Sequence, residues 1–232
     1  MKRIIITFSI FLLAAAMVVV FLYTSIFSVK DIEVESELIS ESEIRVLSGV
    51  RAGRNIFMLR TDTVEQELLK DPRIDRVIVE KKYPNKLIIR VNERNPYAAV
   101  RYNGHYLVLD ETARVIEMTT NNTELPLITG FNLTRASVGE HIATSDSALF
   151  AQALNIVQLV YQTDLKEVEI AFQDSQVVLY PHETLQVKFG RVEDVERQFS
   201  NFMEVYRQLQ AEDSLVGIID VSNVDMAVYK PF

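Results

Sequence analysis

The chain of 232 residues has no cysteine, no tryptophan and three histidines. Without thiols there can be no disulfide scaffold, thiolate zinc site, iron–sulfur cluster or cysteine nucleophile. A thiol-free chain suits either side of a membrane, so cysteine usage gives no compartment. His105, His141 and His182 fall on separate predicted loops or hairpins, with no acid at ligand spacing, and read as surface or loop-packing residues rather than a metal site. No Gly-x-Ser-x-Gly, Gly-x-x-x-x-Gly-Lys or Gly-x-Gly-x-x-Gly run is present, which removes the usual nucleophile elbow and phosphate-cradling loops. The acids Asp110/Glu111 and Glu193/Asp194 are adjacent pairs whose simplest home is a hairpin or helix surface. A glycosidase needs two carboxyls straddling a sugar cleft, and sugar platforms usually include tryptophan. No cofactor is implied, and the chemistry read here is non-enzymatic. The net charge of −8 argues against nucleic acid as a partner.

What is present divides into three electrostatic parts. Residues 1–3 carry Lys2 and Arg3 with no acid, residues 29–95 balance to zero, and residues 96–232 carry the acidic excess. Residues 4–23 are apolar except Thr7 and Ser9, with no charge, glycine or proline. A helix of that length spans roughly the 30 Å hydrocarbon layer, and it satisfies its own backbone there. Phe21, Tyr23 and Phe27 stand at its outer end, where rings favour the interface. A cleaved signal peptide is the competing reading, but the run is too long and no small-x-small site follows it. Lys2 and Arg3 against Asp31, Glu33, Glu35 and Glu37 put residues 1–3 in the cytoplasm and the bulk outside.

Residues 28–95 read as a small β-α-α-β-β unit. Ile32 and Val34 alternate with acids in a first strand. Ser40 and Glu43 form a capping-box signature, in which the serine caps the helix and the glutamate reaches back; Gly49 ends that helix. Residues 55–59 read as a buried connector, and residues 62–70 as a second helix closed by Pro72. Two strands, 74–82 and 86–93, are joined by a turn at Pro84, with Val77 and Val79 on one face and Leu87, Ile89 and Val91 on another.

Residues 96–232 read as a mostly antiparallel β domain with two long helices. Asn103-Gly104 signals a tight hairpin. Helices are expected over 145–162 and 192–210, with strands around 166–172, 176–180, 185–189, 217–221 and 225–229. There is no linker of low complexity and no internal repeat.

Five segments carry a family resemblance. They are Phe27-x-Val29-x-x-Ile32-x-Val34, Gly53-Arg54-Asn55-Ile56-Phe57-Met58-Leu59, Asp71-Pro72-Arg73-Ile74-Asp75-Arg76-Val77, the run from Lys82-Tyr83-Pro84-Asn85-Lys86 to Glu93-Arg94-x-Pro96, and Tyr106-Leu107-Val108-Leu109-Asp110 with Leu125-Pro126-Leu127-Ile128-Thr129-Gly130. Residues 28–95 resemble a POTRA module, and the whole order resembles the FtsQ/DivIB family of bacterial cell-division proteins. Ser36 departs from the glycine usual after the first strand of that family. The resemblance implies an α+β protein: a single transmembrane helix, a POTRA-like domain and an FtsQ-type β domain. The implied role is a bitopic scaffold at the division septum of the bacterial plasma membrane, helping control septal peptidoglycan synthesis. FtsB-type and FtsL-type coiled-coil proteins are the implied partners. A POTRA-bearing transport or assembly factor is the alternative, disfavoured because no ladder of barrel strands follows.

Two surfaces are candidates for docking. Arg73, Arg76, Lys81, Lys82, Lys86 and Arg90 gather on the two-stranded ribbon, either as a solvated face or as a patch for anionic headgroups or an acidic segment. Asp225, Met226, Ala227, Val228, Tyr229 and Lys230 form a last strand expected at a sheet edge. By the resemblance, an FtsB-type strand adds there with Tyr229 as anchor; otherwise Met226, Val228 and Tyr229 finish the core. The family's arginine and aromatic after the Asp-hydrophobic pair are replaced by Ser222-Asn223, so that salt bridge does not carry over.

Overall fold

The computed structural model describes residues 2–22, 24–121, 124–190 and 194–232, without the side chains of 2–5 and 22. They divide into two compact units, 1–94 and 95–232.

The first unit begins with α1 (Lys2–Leu22), whose described side chains are apolar apart from Thr7 and Ser9 and exposed on every side. Among the described residues no helix is long and apolar enough to cross a membrane. The span expected over 4–23 lies partly outside the described side chains, at 4, 5, 22 and 23. After a single turn of 3-10 helix at Ser25–Phe27 come β1 (Asp31–Glu35), α2 (Glu41–Leu47), α3 (Thr61–Leu68), β2 (Ile74–Lys82) and β3 (Lys86–Glu93). The sheet order is β1-β3-β2, with β1 parallel and β2 antiparallel to the central strand. Ile32, Val34, Val77, Val79, Leu87, Ile89 and Val91 face one core with Ile44, Ile56, Val64 and Leu68. Alternation along the strands thus delivers one apolar face to the two helices.

Three local expectations need correction. Ser40 does accept the Glu43 N–H (3.3 Å), but the Glu43 carboxylate turns outward to Arg73 at 2.6 Å instead of closing the cap. The connector at 55–59 is only half buried: Ile56 and Leu59 enter the core while Phe57 and Met58 are exposed. The second helix starts at Thr61, with no side-chain cap from Arg60.

Among the described residues, the second unit is one nine-stranded sheet, two helices and a small ribbon. In chain order it contains β4 (Ala98–Tyr102), β5 (His105–Leu109), β6 (Val115–Thr119), β7 (Leu127–Thr129), β8 (Leu133–Arg135), β9 (Ala143–Thr144), α4 (Ser147–Val160), β10 (Glu169–Gln173), β11 (Gln176–His182), β12 (Leu185–Gly190), α5 (Val195–Ala211), β13 (Gly217–Asp220) and β14 (Val228–Lys230). The large sheet runs β14-β13-β12-β11-β10-β7-β4-β5-β6; β8 and β9 pair separately. Its junctions are antiparallel except β12–β13, β10–β7 and β7–β4. Hairpin turns cannot make parallel junctions, and the chain crosses over to make each of them. Phe150, Ala153, Ile156, Val157 and Val160 of α4, with Phe199, Phe202 and Leu209 of α5, pack on one face of the sheet. The helix expected from 192 begins at Val195; residue 192 lies outside the described residues.

Candidate docking edge

The end of the large sheet is assembled by polar side chains that hold turns. Asp220 accepts the Ser222 N–H (3.0 Å) and hydroxyl (2.6 Å), and Asn223 accepts the Asp225 N–H (2.9 Å). These local bonds reverse the chain after β13. One side of α5 then grips the reversal. Gln198, fully buried, donates from Nε2 to the carbonyls of Phe189 (2.9 Å) and Val221 (2.8 Å). Asn201 donates to the Val224 carbonyl (2.9 Å), and Arg197 pairs with Asp225 at 2.8 Å.

The chain so delivered pairs as β14 with β13, register Ile218 with Lys230, Ile219 with Tyr229 and Asp220 with Val228. Tyr229 shares the core face with Ile219 and is half buried. Its hydroxyl donates to the Val216 carbonyl (2.7 Å), and its ring covers Gly217. A Cβ on Gly217 would come within 2.5 Å of the Lys230 carbonyl oxygen, and its φ of 136° is one that glycine tolerates. Tyr229 is therefore the pin that fastens β14 inward, which agrees with the alternative in which Tyr229 finishes the core, whereas Met226 and Val228 do not. The strand is also shorter than the expected 225–229: Asp225 belongs to the turn, bound to Arg197, and Met226 and Ala227 precede the pairing. Among the described residues, the outer edge of β14 has no strand beside it, and Met226, Val228 and Lys230 are exposed there.

Half of the other candidate surface is neutralised. Arg73 pairs with Asp71 and Glu43, both at 2.6 Å. Those two carboxylates, Asp71 foremost, raise the Arg73 pKa still further, while its guanidinium holds the Asp71 carboxyl below its ordinary value. Lys86 sits 2.5 Å from Glu33, and Arg90 bridges Glu35 (2.9 Å) and Glu80 (3.1 Å). The hydrogen bond from Lys86, then its charge, lowers the Glu33 carboxyl. Of the six basic side chains, Arg76, Lys81 and Lys82 alone make no ion pair among the described residues. Strand alternation made the six look like one patch; the acids on β1, invisible until β1 pairs with β3, divide it.

Glu93, the last residue of β3, holds the chain that follows β1. Its carboxylate accepts from the Ser36 hydroxyl (2.7 Å) and the N–H groups of Glu37 (3.0 Å), Leu38 (3.2 Å) and Ile39 (2.8 Å). Burial pushes its pKa up, but these donors outweigh burial and leave it lowered. Ser36, the departure from the family's glycine, thus contributes a donor. Gln198 is marked in the sequence only as a polar residue on the stripe of Val195, Phe199 and Phe202. Asp110 is buried and receives the N–H groups of Thr112 and Arg114, each at 2.9 Å, a turn-forming role. Glu193 lies outside the described residues, and among those described no group of His, Asp and Glu could hold a metal ion.

Comparison with known proteins decides the family. Residues 27–94 match the POTRA domain, FtsQ-type, and residues 98–225 match the Cell division protein FtsQ/DivIB, C-terminal model. The chain belongs to the FtsQ/DivIB family of cell-division proteins. It is 30% identical over 215 residues to Cell division protein FtsQ of Geotalea daltonii, covering 89% of this chain and 77% of that one. Cell division protein DivIB of Clostridium botulinum is 23% identical over 227 residues, covering 95% and 88%. Cell division protein FtsQ of Geobacter sp. is 25% identical over 213 residues, covering 89% and 77%. The FtsQ/DivIB C-terminal match stops at Asp225, so β14 lies beyond it.

Proposed function

We propose that the chain is a non-enzymatic bitopic scaffold of the division machinery, with residues 1–3 cytoplasmic, 4–23 in the plasma membrane, and the POTRA-like domain (28–95) and the β domain (96–232) outside. The unbroken apolar run, and the exposure of α1 side chains on all sides, support an environment of lipid for that helix. Lys2 and Arg3 support the orientation. The scaffold connects septal membrane proteins of the FtsB and FtsL type and, through them, helps control septal peptidoglycan synthesis.

The observation that carries the partner reading is the open outer edge of β14, held out by α5 on a sheet of the FtsQ/DivIB type. Its main-chain groups supply affinity for an added strand, and Met226, Val228 and Lys230 supply selectivity. Tyr229 acts behind the edge by fixing β14 to β13. Truncation after Asp225 is expected to leave the domain folded, as judged by its cooperative melt, and to abolish capture of the coiled-coil partner from detergent-solubilised membranes. A folded truncation that still captures it removes this edge from consideration.

A further inference from the structure

A line of aromatic rings runs from the end of α1 into the first unit. Phe21 meets Phe27 edge-on at 5.4 Å, Phe27 meets Phe57 at 5.1 Å, and Phe57 stacks on Tyr83 at 5.0 Å. Phe27 reaches the core of the unit, but Phe57 is 43% and Tyr83 58% exposed, with Met58 at 60% beside them. Rings so placed leave apolar area in water that the unit's own core does not cover.

The backbone sets cations around the same rim. The Val29 N–H donates to the Arg54 carbonyl (2.8 Å), the Arg54 N–H to the Arg51 carbonyl (3.4 Å), and the Lys30 N–H to the Asn85 carbonyl (2.9 Å), in the turn that carries Tyr83. Lys82 immediately precedes Tyr83. Lys30, Arg51, Arg54 and Lys82 are all exposed, and none is ion-paired among the described residues. On the sheet face of the same unit, Lys86 and Arg90 each have carboxylate partners. Exposed rings combined with cations outside any ion pair match the chemistry of a bilayer interface, where aromatic side chains settle at headgroup depth and surface Lys and Arg are drawn to anionic lipid.

We propose that the rim formed by Phe27, Phe57 and Tyr83 is a second, peripheral membrane contact. The rings enter the headgroup layer beside α1, and Lys30, Arg51, Arg54 and Lys82 take anionic lipid phosphates. The occupant is lipid rather than a protein segment because the ring line is continuous with the apolar helix and begins on it, at Phe21. The contact rests on α1 being in the bilayer, and it would fix the tilt of the first unit on the membrane surface.

The absence of tryptophan gives a clean probe. Full-length Phe57→Trp and, separately, Phe11→Trp are reconstituted into vesicles of phosphatidylcholine and phosphatidylglycerol, with and without brominated lipid, the bromines near the headgroup end of the acyl chains for position 57 and deep in the chains for position 11. Both are expected to show blue-shifted emission that the brominated lipid quenches. Adding Arg54→Glu and Lys82→Glu to Phe57→Trp is expected to reduce quenching in vesicles with phosphatidylglycerol and leave it unchanged in phosphatidylcholine alone. Quenching at position 11 without quenching at position 57 overturns the rim contact and leaves the anchor standing; the ring then faces water or protein. No quenching at position 11 overturns the anchor and the rim contact with it. Quenching at 57 that ignores both charge reversals overturns the role given to the cations.

Discussion

Glu93 links two segments of the first unit through a single carboxylate, whose oxygens collect the Ser36 hydroxyl and three N–H groups of residues 37–39. Hydrogen bonds to a charged group contribute about 1.5–3 kcal/mol each, and donors left without an acceptor cost more than the bond itself was worth. Glu93→Ala is therefore expected to lower the stability of the first unit by about 2 kcal/mol in a denaturant titration at neutral pH. The pH dependence has a definite sign. Glu93 and Asp71 are both held below their ordinary values in the folded chain, so their stabilisation is in place above about pH 4, where the unfolded carboxyls ionise. It is lost as the pH falls through the lowered values. Melts of wild type and Glu93→Gln, compared from neutral pH downward, are expected to differ most at neutral pH and to converge in acid. A gap that widens in acid would contradict the lowered pKa. Gln198 offers a second residue-scale test: Gln198→Ala removes both bonds that tie α5 to Phe189 and Val221, and should cost about 1–3 kcal/mol.

At the scale of elements, the core strand β3 gives the sharpest contrast. Ile89 is fully buried and Arg90, next to it, lies on the opposite face with Glu35 and Glu80. Ile89→Asp would bury an unpaired charge and is expected to abolish the first unit's melting transition, whereas Arg90→Ala loses only exposed, solvent-screened ion pairs and is expected to leave the transition in place. Equal melts for the two variants would invert the assignment of faces. These elements were legible because period-2 and helical stripes are long enough to count: residues 74–82 and 86–93 appear at those bounds as β2 and β3, and Ser40 caps α2 as the sequence signals. Asn103 and Gly104 both adopt positive φ, as a tight hairpin turn requires. The unread parts are short or long-range. β8 and β9 contain three and two residues, too few to show any period. The end strand was legible as an edge, and a core role for Tyr229 as an alternative, but its partners Val216 and Gly217 were not, since they become neighbours only through strand pairing. The same holds for the acids that neutralise Lys86 and Arg90.

For the whole molecule, topology is the first question. An exported reporter fused at residue 232 is expected to be active and a cytoplasmic one inactive, and the fusion should run at full size, because the apolar run is longer than a cleaved signal allows. A cytoplasmically active fusion would reverse the orientation drawn from Lys2 and Arg3. Loss of about 25 residues on a blot would convert the anchor into a leader.

The order of strands has a mechanical consequence. Among the described residues, β4, β5 and β6 form one block of the large sheet and β10 to β14 another, and only β7, three residues long, joins them, parallel to both neighbours. Gly130, directly after it, has no room for a Cβ, which would sit 2.2 Å from the Phe172 carbonyl oxygen. A pull that enters the domain at β4 and leaves through a strand held on β14 must cross this seam. The seam would yield before either block. Optical-tweezer extension between residues 95 and 230 should then rupture in two steps, with the first at lower force in Gly130→Ala; a single rupture of unchanged force would place the weak point elsewhere.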